Sequence, residues 1–291
     1  MSGNTAQVQD TVKFLKRRST LSRLTSLEIT YKAQLGHIAP DFSCLDILTV
    51  LYFSVLRIDP ANPRWTERDR FVLSKGHAAG ALYATMAARG FFPEAWLDTY
   101  QGYETRLLGH PDRNKIPGVE HNTGALGHGL SVAVGMAAAL RRKQDADIVP
   151  NVYVLLGDGE LQEGSNWEAI MLASHLQLGN LIAIIDHNGL QQGAAVDETV
   201  TLGDLGAKFA SFGWDVRTVD GHDHAALLQT LQRSDRSRGQ PRAVIAKTIK
   251  GRGVSFMEND PKWHHKIPTE SEYQAVRAEL LRTLEGRNDR G

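Results

Sequence analysis

The chain has a single cysteine, Cys44, in 291 residues. No disulfide can form within it, and several-thiolate sites such as a zinc ribbon or an iron–sulfur cluster are excluded. Neither sign of charge is in excess: 33 Lys and Arg stand against 33 Asp and Glu. A neutral balance argues against nucleic acid or an anionic membrane as partner. Long apolar runs are scarce as well. A stretch such as Leu181 to Ile185 is far too short to cross a bilayer. The opening residues, Met1 to Asp10, have no basic segment followed by an apolar one, so no secretory signal is read and the expected compartment is the cytoplasm. Internal repeats and low-complexity segments are missing too. What remains is globular in composition: 42% apolar, 23% charged, and 27 glycines that point to many tight turns. A chain of this length can bury a large core without staples.

The patterning predicts alternating elements. Val12, Leu15, Leu21, Leu24 and Leu27 recur near a 3.6-residue period, which predicts helix through the first 35 residues. A second helix is expected from Ser43, where Ser43-Cys-Leu-Asp46 fits a capping box. A strand at Phe71–Ser74 and a helix from Ala78 to Arg89, closed by Gly90, come next. Gly102 to Thr123 carries Pro111, Pro117 and scattered glycines and reads as a long functional loop. Helices are expected at Leu126–Arg142, Trp167–Leu178, Leu205–Phe212, Ala225–Arg233 and Glu270–Leu284. Strands are expected at Val152–Leu156, Leu181–Ile185, Trp214–Val219 and Ala243–Thr248. Strands that are continuous Val/Ile/Leu runs, alternating with helices, indicate an α/β fold: a mostly parallel central sheet with helices on both faces. Residues 1–284 read as one domain and 285–291 as a polar tail.

In such a sheet, ligands bind at the carboxyl ends of the strands. Two strand ends carry unusual polar groups: Gly157-Asp158-Gly159-Glu160 and Asp186-His187-Asn188-Gly189-Leu190. A lone Gly-Asp-Gly is most often a turn. Asn188 lies thirty positions beyond Asp158, one strand–helix–strand unit away, and that spacing sets the two loops side by side. A carboxylate and a carboxamide there can share Mg²⁺, which takes an oxygen shell, while the glycines let backbone N–H groups approach phosphate. The pair reads as a metal-bridged diphosphate site.

These motifs resemble the diphosphate motif of thiamine diphosphate enzymes, and their surroundings resemble the transketolase family. The matching segments are Leu73-Ser-Lys-Gly-His77-Ala, Gly109-His110-Pro111, Pro117-Gly-Val-Glu, Thr123-Gly-Ala-Leu-Gly, Val134-Gly-Met-Ala, Gly157-Asp-Gly-Glu-Leu-Gln-Glu-Gly and Leu178-Gly-Asn-Leu-Ile-Ala-Ile. They follow the family order over roughly residues 12 to 270. The resemblance implies the thiamine diphosphate-binding fold, with Asp158, Asn188 and the Leu190 carbonyl as ligands of Mg²⁺, or of Ca²⁺ or Mn²⁺ in its place. It implies cofactor contacts at Gly157, Gly159, Gly124 and Leu126. It matches His37, His77, His110 and His265 to active-site histidines, with His77 and His265 also at the cofactor. Glu163 matches an interface glutamate linked to the one that activates the cofactor. Imidazoles suit this work because they exchange protons near neutral pH, as the donor ketose loses a hydroxyl proton and the acceptor gains one. Of the pair His264-His265, the latter is chosen because it precedes Pro268 by three. His222 and His224 are expected to cap the helix that follows them, and His121, His128, His175 and His187 to be structural. No two loop histidines have zinc-finger spacing.

Three features depart from the family pattern. Ile38-Ala-Pro-Asp follows His37 where Pro-Gly is usual, His128 replaces a glutamine, and the sequence stops at Gly291 without the pyrimidine-binding or third domain. The implied protein is the amino-terminal subunit of a split transketolase in an α2β2 heterotetramer. Segments 126–142 and 163–178 are expected to supply apolar contact surface. The implied reaction moves a two-carbon ketol unit from a ketose phosphate to an aldose phosphate. Half of an enzyme acting on 2-oxo acids and a non-catalytic cofactor-binding remnant are the alternatives.

Overall fold

The computed structural model describes residues 2–142, 149–232 and 239–286. Its elements run α1 (Ser2–Ala33), α2 (Ile38–Val50), β1 (Arg70–Leu73), α3 (Ala79–Arg89), α4 (Gly129–Arg141), β2 (Val152–Gly157), α5 (Gly164–His175) and β3 (Leu181–His187). They continue as β4 (Leu190–Gln191), β5 (Ala194–Ala195), α6 (Val196–Thr199), α7 (Leu205–Ser211), β6 (Asp215–Asp220), α8 (His224–Leu231), β7 (Arg242–Lys247) and α9 (Glu270–Leu284). Five strands form a parallel sheet in the order β1-β2-β3-β7-β6. The short β4–β5 ribbon stands apart from it.

Alternate residues of each strand point to opposite faces, and in β1, β2, β3 and β7 both faces are largely buried, whereas the edge strand β6 is mostly exposed. On one face Phe71, Leu73, Tyr153, Leu155, Ile182, Ile184, Val244 and Ala246 meet α1, α2, α3 and α8. On the other, Val72, Val154, Leu156, Ala183, Ile185 and Ile245 meet α4, α5 and α7. Burial on both sides is why these strands read as unbroken apolar runs rather than alternating ones. Gly90 closes α3 at φ +91°, a left-handed conformation open to glycine at little cost. Thr269 caps α9 in a reciprocal box with Glu272.

Two expectations are corrected. The second helix starts at Ile38, not Ser43. Ser43 lies buried within it and donates to Asp186 Oδ1 at 2.6 Å, so a long-range bond takes the hydroxyl that a local cap would have used. His222 and His224 do not cap α8. Asp223 does, accepting from Ala225 and Ala226. His222 Nδ1 instead lies 2.7 Å from Asp46 Oδ2, and His224 Nε2 lies 2.8 Å from Ser19 Oγ. Arg23 donates to both oxygens of Asp46 at 2.9 and 2.8 Å, so this buried carboxylate joins α1, α2 and α8. In addition, α2 runs on through a wider π-type turn, Leu51–Val55. The stretch Ile38–Val55 is long and apolar enough to cross a membrane, yet 83% of it is buried inside the protein, as a core helix would be.

Other boundaries shift by a few residues. The expected helix at 126–142 begins at Gly129, which leaves Leu126 to His128 as loop. Arg233 and residues 287–291 of the expected tail lie outside the described residues. Cys44 is buried in α2, and burial pushes its thiol up to about 12, so it stays protonated.

Candidate active site

The carboxyl ends of β1, β2, β3 and β7 meet at a cavity of about 380 Å³. Every site residue singled out in the sequence lines it: His37, His77, His110, Gly124, Leu126, Gly157, Asp158, Gly159, Glu163, Asn188, Leu190 and His265. They come from segments more than 200 residues apart, gathered because consecutive parallel strands end on the same edge of the sheet.

Asp158 follows β2 and is 2% exposed. Its Oδ1 accepts from Gly159 N at 2.8 Å and its Oδ2 from Gly189 N at 2.6 Å, which ties the two loops together. Burial raises its carboxyl to about 6 against those two bonds. Asn188 anchors its amide nitrogen on Ser43 Oγ at 3.1 Å, while its Oδ1 accepts from Leu190 N at 3.0 Å. That oxygen keeps a second lone pair for another partner.

Beneath this pair is a network that sequence reasoning missed. Asp186, fully buried, accepts from Lys75 Nζ, Ser43 Oγ and Thr248 Oγ1. Lys75 also donates to Pro40 O at 3.2 Å. The ammonium holds the Asp186 carboxyl below its ordinary range despite burial, and Asp186 in turn raises Lys75. Glu160, also buried, accepts from Ser74 Oγ, from Gly127 N at 3.0 Å and from Gly157 N at 3.1 Å. It thereby clasps the β1 end, the 124–128 loop and the β2 end. Both carboxylates sit next to residues that drew attention, Asn188 and Asp158, but only the fold discloses their partners.

The upper wall is histidine. The His37 ring lies 5.3 Å from His77 and 4.3 Å from His265, centroid to centroid. His264 lies 5.4 Å from His77. His264 is partly buried and its Nδ1 lies 2.8 Å from Lys250 Nζ, while His265 is exposed. Both line the cavity, so the choice of His265 alone captured the outer member of a pair. His110 sits at the rim against Gly124, where a Cβ at φ +135° would come within 3.2 Å of the ring. Glu163 is exposed at the start of α5.

Burial pushes His37 down to about 4 and His264 to about 3, with neighbouring cations and imidazoles adding to the effect. These bases are neutral when folded and charge more readily when unfolded. The stability they contribute is present above their ordinary value near 6.5 and lost as pH falls toward the folded values. Asp41 has the opposite sign. Burial raises it to about 7, so its contribution is present below its ordinary value and lost as pH rises through 7. We therefore expect His264→Asn to gain stability relative to the parent as pH falls from 6.5 to 5, by up to about 1 kcal/mol per pH unit. Asp41→Asn should gain relative to the parent as pH rises from 5 to 8. Denaturant unfolding across a pH series measures both, and parallel curves for parent and variants would contradict them.

Residues 16–282 match the family model described as the transketolase thiamine diphosphate binding domain. The chain belongs to the transketolase family. It is 44% identical over 281 residues to an apulose-4-phosphate transketolase subunit of Phocaeicola vulgatus, which covers 96% of this chain and 99% of that protein. It is 40% identical over 267 residues to the 6-deoxy-6-sulfo-D-fructose transketolase subunit SqwG of a Clostridium species, covering 91% and 96%. Among solved structures it superposes on transketolase from Campylobacter jejuni with a TM-score of 0.86 at 30% identity. That match covers 92% of this chain and 43% of the other. Transketolases are transferases, and the parallel sheet with its helical layers is their thiamine diphosphate-binding fold.

The residues present fit a metal-held diphosphate. Asp158, the Asn188 carboxamide and the Leu190 segment put hard oxygen donors on one wall of the cavity. Lys250 is 1% exposed, and the partner of its ammonium is an imidazole rather than a carboxylate. Burial and the charge of Lys75 lower it to about 8. A buried cation that faces a cavity with no carboxylate paired to it among the described residues suits an anionic ligand.

Proposed function

We propose that this chain is the amino-terminal subunit of a two-component transketolase. It holds the diphosphate end of thiamine diphosphate through Mg²⁺ and transfers a two-carbon ketol unit from a ketose phosphate to an aldose phosphate. The observation that carries the reading is the convergence of Asp158, Asn188, Leu190 and the histidine wall on a single cavity. Residues 1–284 act as one diphosphate-binding domain. Asp158, Asn188 and the Leu190 carbonyl would hold the metal; Gly157, Gly159, Gly124, Leu126, His77 and His265 would face the cofactor. When bound, the cofactor supplies the nucleophilic carbon and the electron sink. The chain's own groups bind the diphosphate, exclude water and manage protons. The imidazoles of His37, His77, His110 and His265 accept the donor's hydroxyl proton and return one to the acceptor.

A carboxyl-terminal subunit supplies the pyrimidine domain and the activating glutamate, and two copies of each make an α2β2 assembly. The names of two relatives, each a transketolase subunit matched over nearly its full length, support this. So do Glu163 at the rim and the exposed Met171, Leu172 and Leu176 on and just beyond α5. The compartment we propose is the cytoplasm; among the described residues the one stretch long and apolar enough to span a membrane, Ile38–Val55, is 83% buried inside the protein.

Affinity purification from the native cell, with mass spectrometry of what accompanies the chain, tests the reading. A stoichiometric partner carrying a thiamine-pyrimidine domain supports it; a chain that emerges alone at every salt concentration removes the active site. In the assembled complex, His110→Ala should lower kcat by about 10²-fold or more with little change in donor KM, as loss of a proton-transfer group does. Steady-state kinetics checks this, and unaltered turnover removes His110 from the donor site. Release of carbon dioxide from a 2-oxo acid would shift the assignment to that class.

A further inference from the structure

His37, His264 and His265 each place a ligating nitrogen within 4.8 Å of the other two. Their ring centroids are 4.3, 5.5 and 4.7 Å apart. We infer that these three histidines form a second metal site, for a borderline divalent ion of the Zn²⁺ class, chemically distinct from the oxygen-donor site at Asp158 and Asn188. Linear spacing conceals it. Two ligands sit on the turn that follows Pro261, and the third precedes α2 more than 200 residues earlier.

The donor chemistry separates the two sites. Imidazole nitrogen suits Zn²⁺, Co²⁺ and Ni²⁺, whereas Mg²⁺ prefers carboxylate, carbonyl and water. Ligand nitrogens about 2.0–2.1 Å from a tetrahedral Zn²⁺ stand roughly 3.3 Å from one another, so the three need close by only about 1.5 Å. His265 is exposed and free to make that movement. Three protein ligands leave a fourth position open toward the cavity, as at catalytic rather than structural zinc sites. Lys250, against His264, is the opposing charge.

His37, His264 and His265 line the same cavity as Asp158 and Asn188, so an ion bound here stands within it. If the ketol-transfer reading above holds, the ion obstructs the sugar path and inhibits turnover. The metal site itself does not depend on that reading.

The test is a titration of the full chain with Co²⁺ in chelator-treated buffer, followed by visible absorption. We expect the intense bands of four-coordinate Co²⁺ at one equivalent, undiminished by excess Mg²⁺. His265→Ala should abolish the bands and weaken binding at least about tenfold, with the circular dichroism unchanged. A pale six-coordinate spectrum, displacement by Mg²⁺, or a His265→Ala variant indistinguishable from the parent would each overturn the site. Failure of the split-enzyme reading would appear separately, as a chain that binds Co²⁺ in this way and recruits no partner.

Discussion

Replacing Lys75 with methionine is expected to destabilise the chain by about 3–5 kcal/mol. Its ammonium is 2% exposed and sits on Asp186, which is fully buried. Removing the cation leaves a carboxylate in low dielectric with only the Ser43 and Thr248 hydroxyls as partners. Hydroxyl donors soften that loss but cannot neutralise the charge. Asp186 must then take up a proton to fold, and its carboxyl moves from below its ordinary range to above it. The variant's stability would fall as pH rises, the reverse of the slope the ionised aspartate gives the parent. The double variant Lys75→Met/Asp186→Asn should recover at least half of the loss, because the asparagine oxygen still accepts from the hydroxyls and no charge remains. Denaturant unfolding at two pH values distinguishes the outcomes. A single variant within about 1 kcal/mol of the parent would mean that the pair is neither buried nor coupled as described.

Asp158→Ala should abolish Mg²⁺-dependent binding of thiamine diphosphate to the assembled enzyme, by at least about 100-fold, since loss of even an outer partner of a metal ligand costs 10–100-fold. Two losses combine. The hard anionic oxygen disappears, and Gly159 N and Gly189 N lose their acceptor, so the two strand-end loops are no longer pinned together. Asp158→Asn separates these contributions. It keeps an acceptor for one N–H and removes the charge, so it should preserve thermal stability better than alanine and still lose most of the metal dependence. Calorimetric titration with cofactor, in Mg²⁺ and in chelator, gives both numbers. Affinity equal to the parent in Mg²⁺ would sink the placement of the metal at this carboxylate.

The fold was largely legible in the sequence for one physical reason. Strands buried on both faces must be apolar throughout, so the runs at Val152, Leu181 and Ala243 announced themselves. The juxtaposition of Asp158 and Asn188 in one cavity was legible because they belong to consecutive strand ends, and a single crossover brings them together. Contacts between distant segments were not legible. Lys75 and Asp186 are 111 residues apart and the Arg23–Asp46 pair joins two helices, and nothing local marks either as a pair. Ser43 carried a persuasive capping pattern, yet its hydroxyl goes to a residue 143 positions away. His264 and His265 illustrate a finer limit. They are neighbours on one tight turn, and only the direction of that turn, set by Pro261 and the packing of buried Trp263, decides which ring faces Lys250.

Ser43 has a wider consequence. It donates to Asp186 and accepts from Asn188, while Asp186 receives Lys75 from the β1 end and Thr248 from the β7 end. Four segments are thus wired together through protein groups alone. On the proposed reading this floor is where the cofactor lands, and it is tied together before anything lands, so little chain entropy remains to be lost on docking. Differences in affinity among variants of this floor should therefore lie mainly in how long the cofactor stays rather than in how fast it arrives.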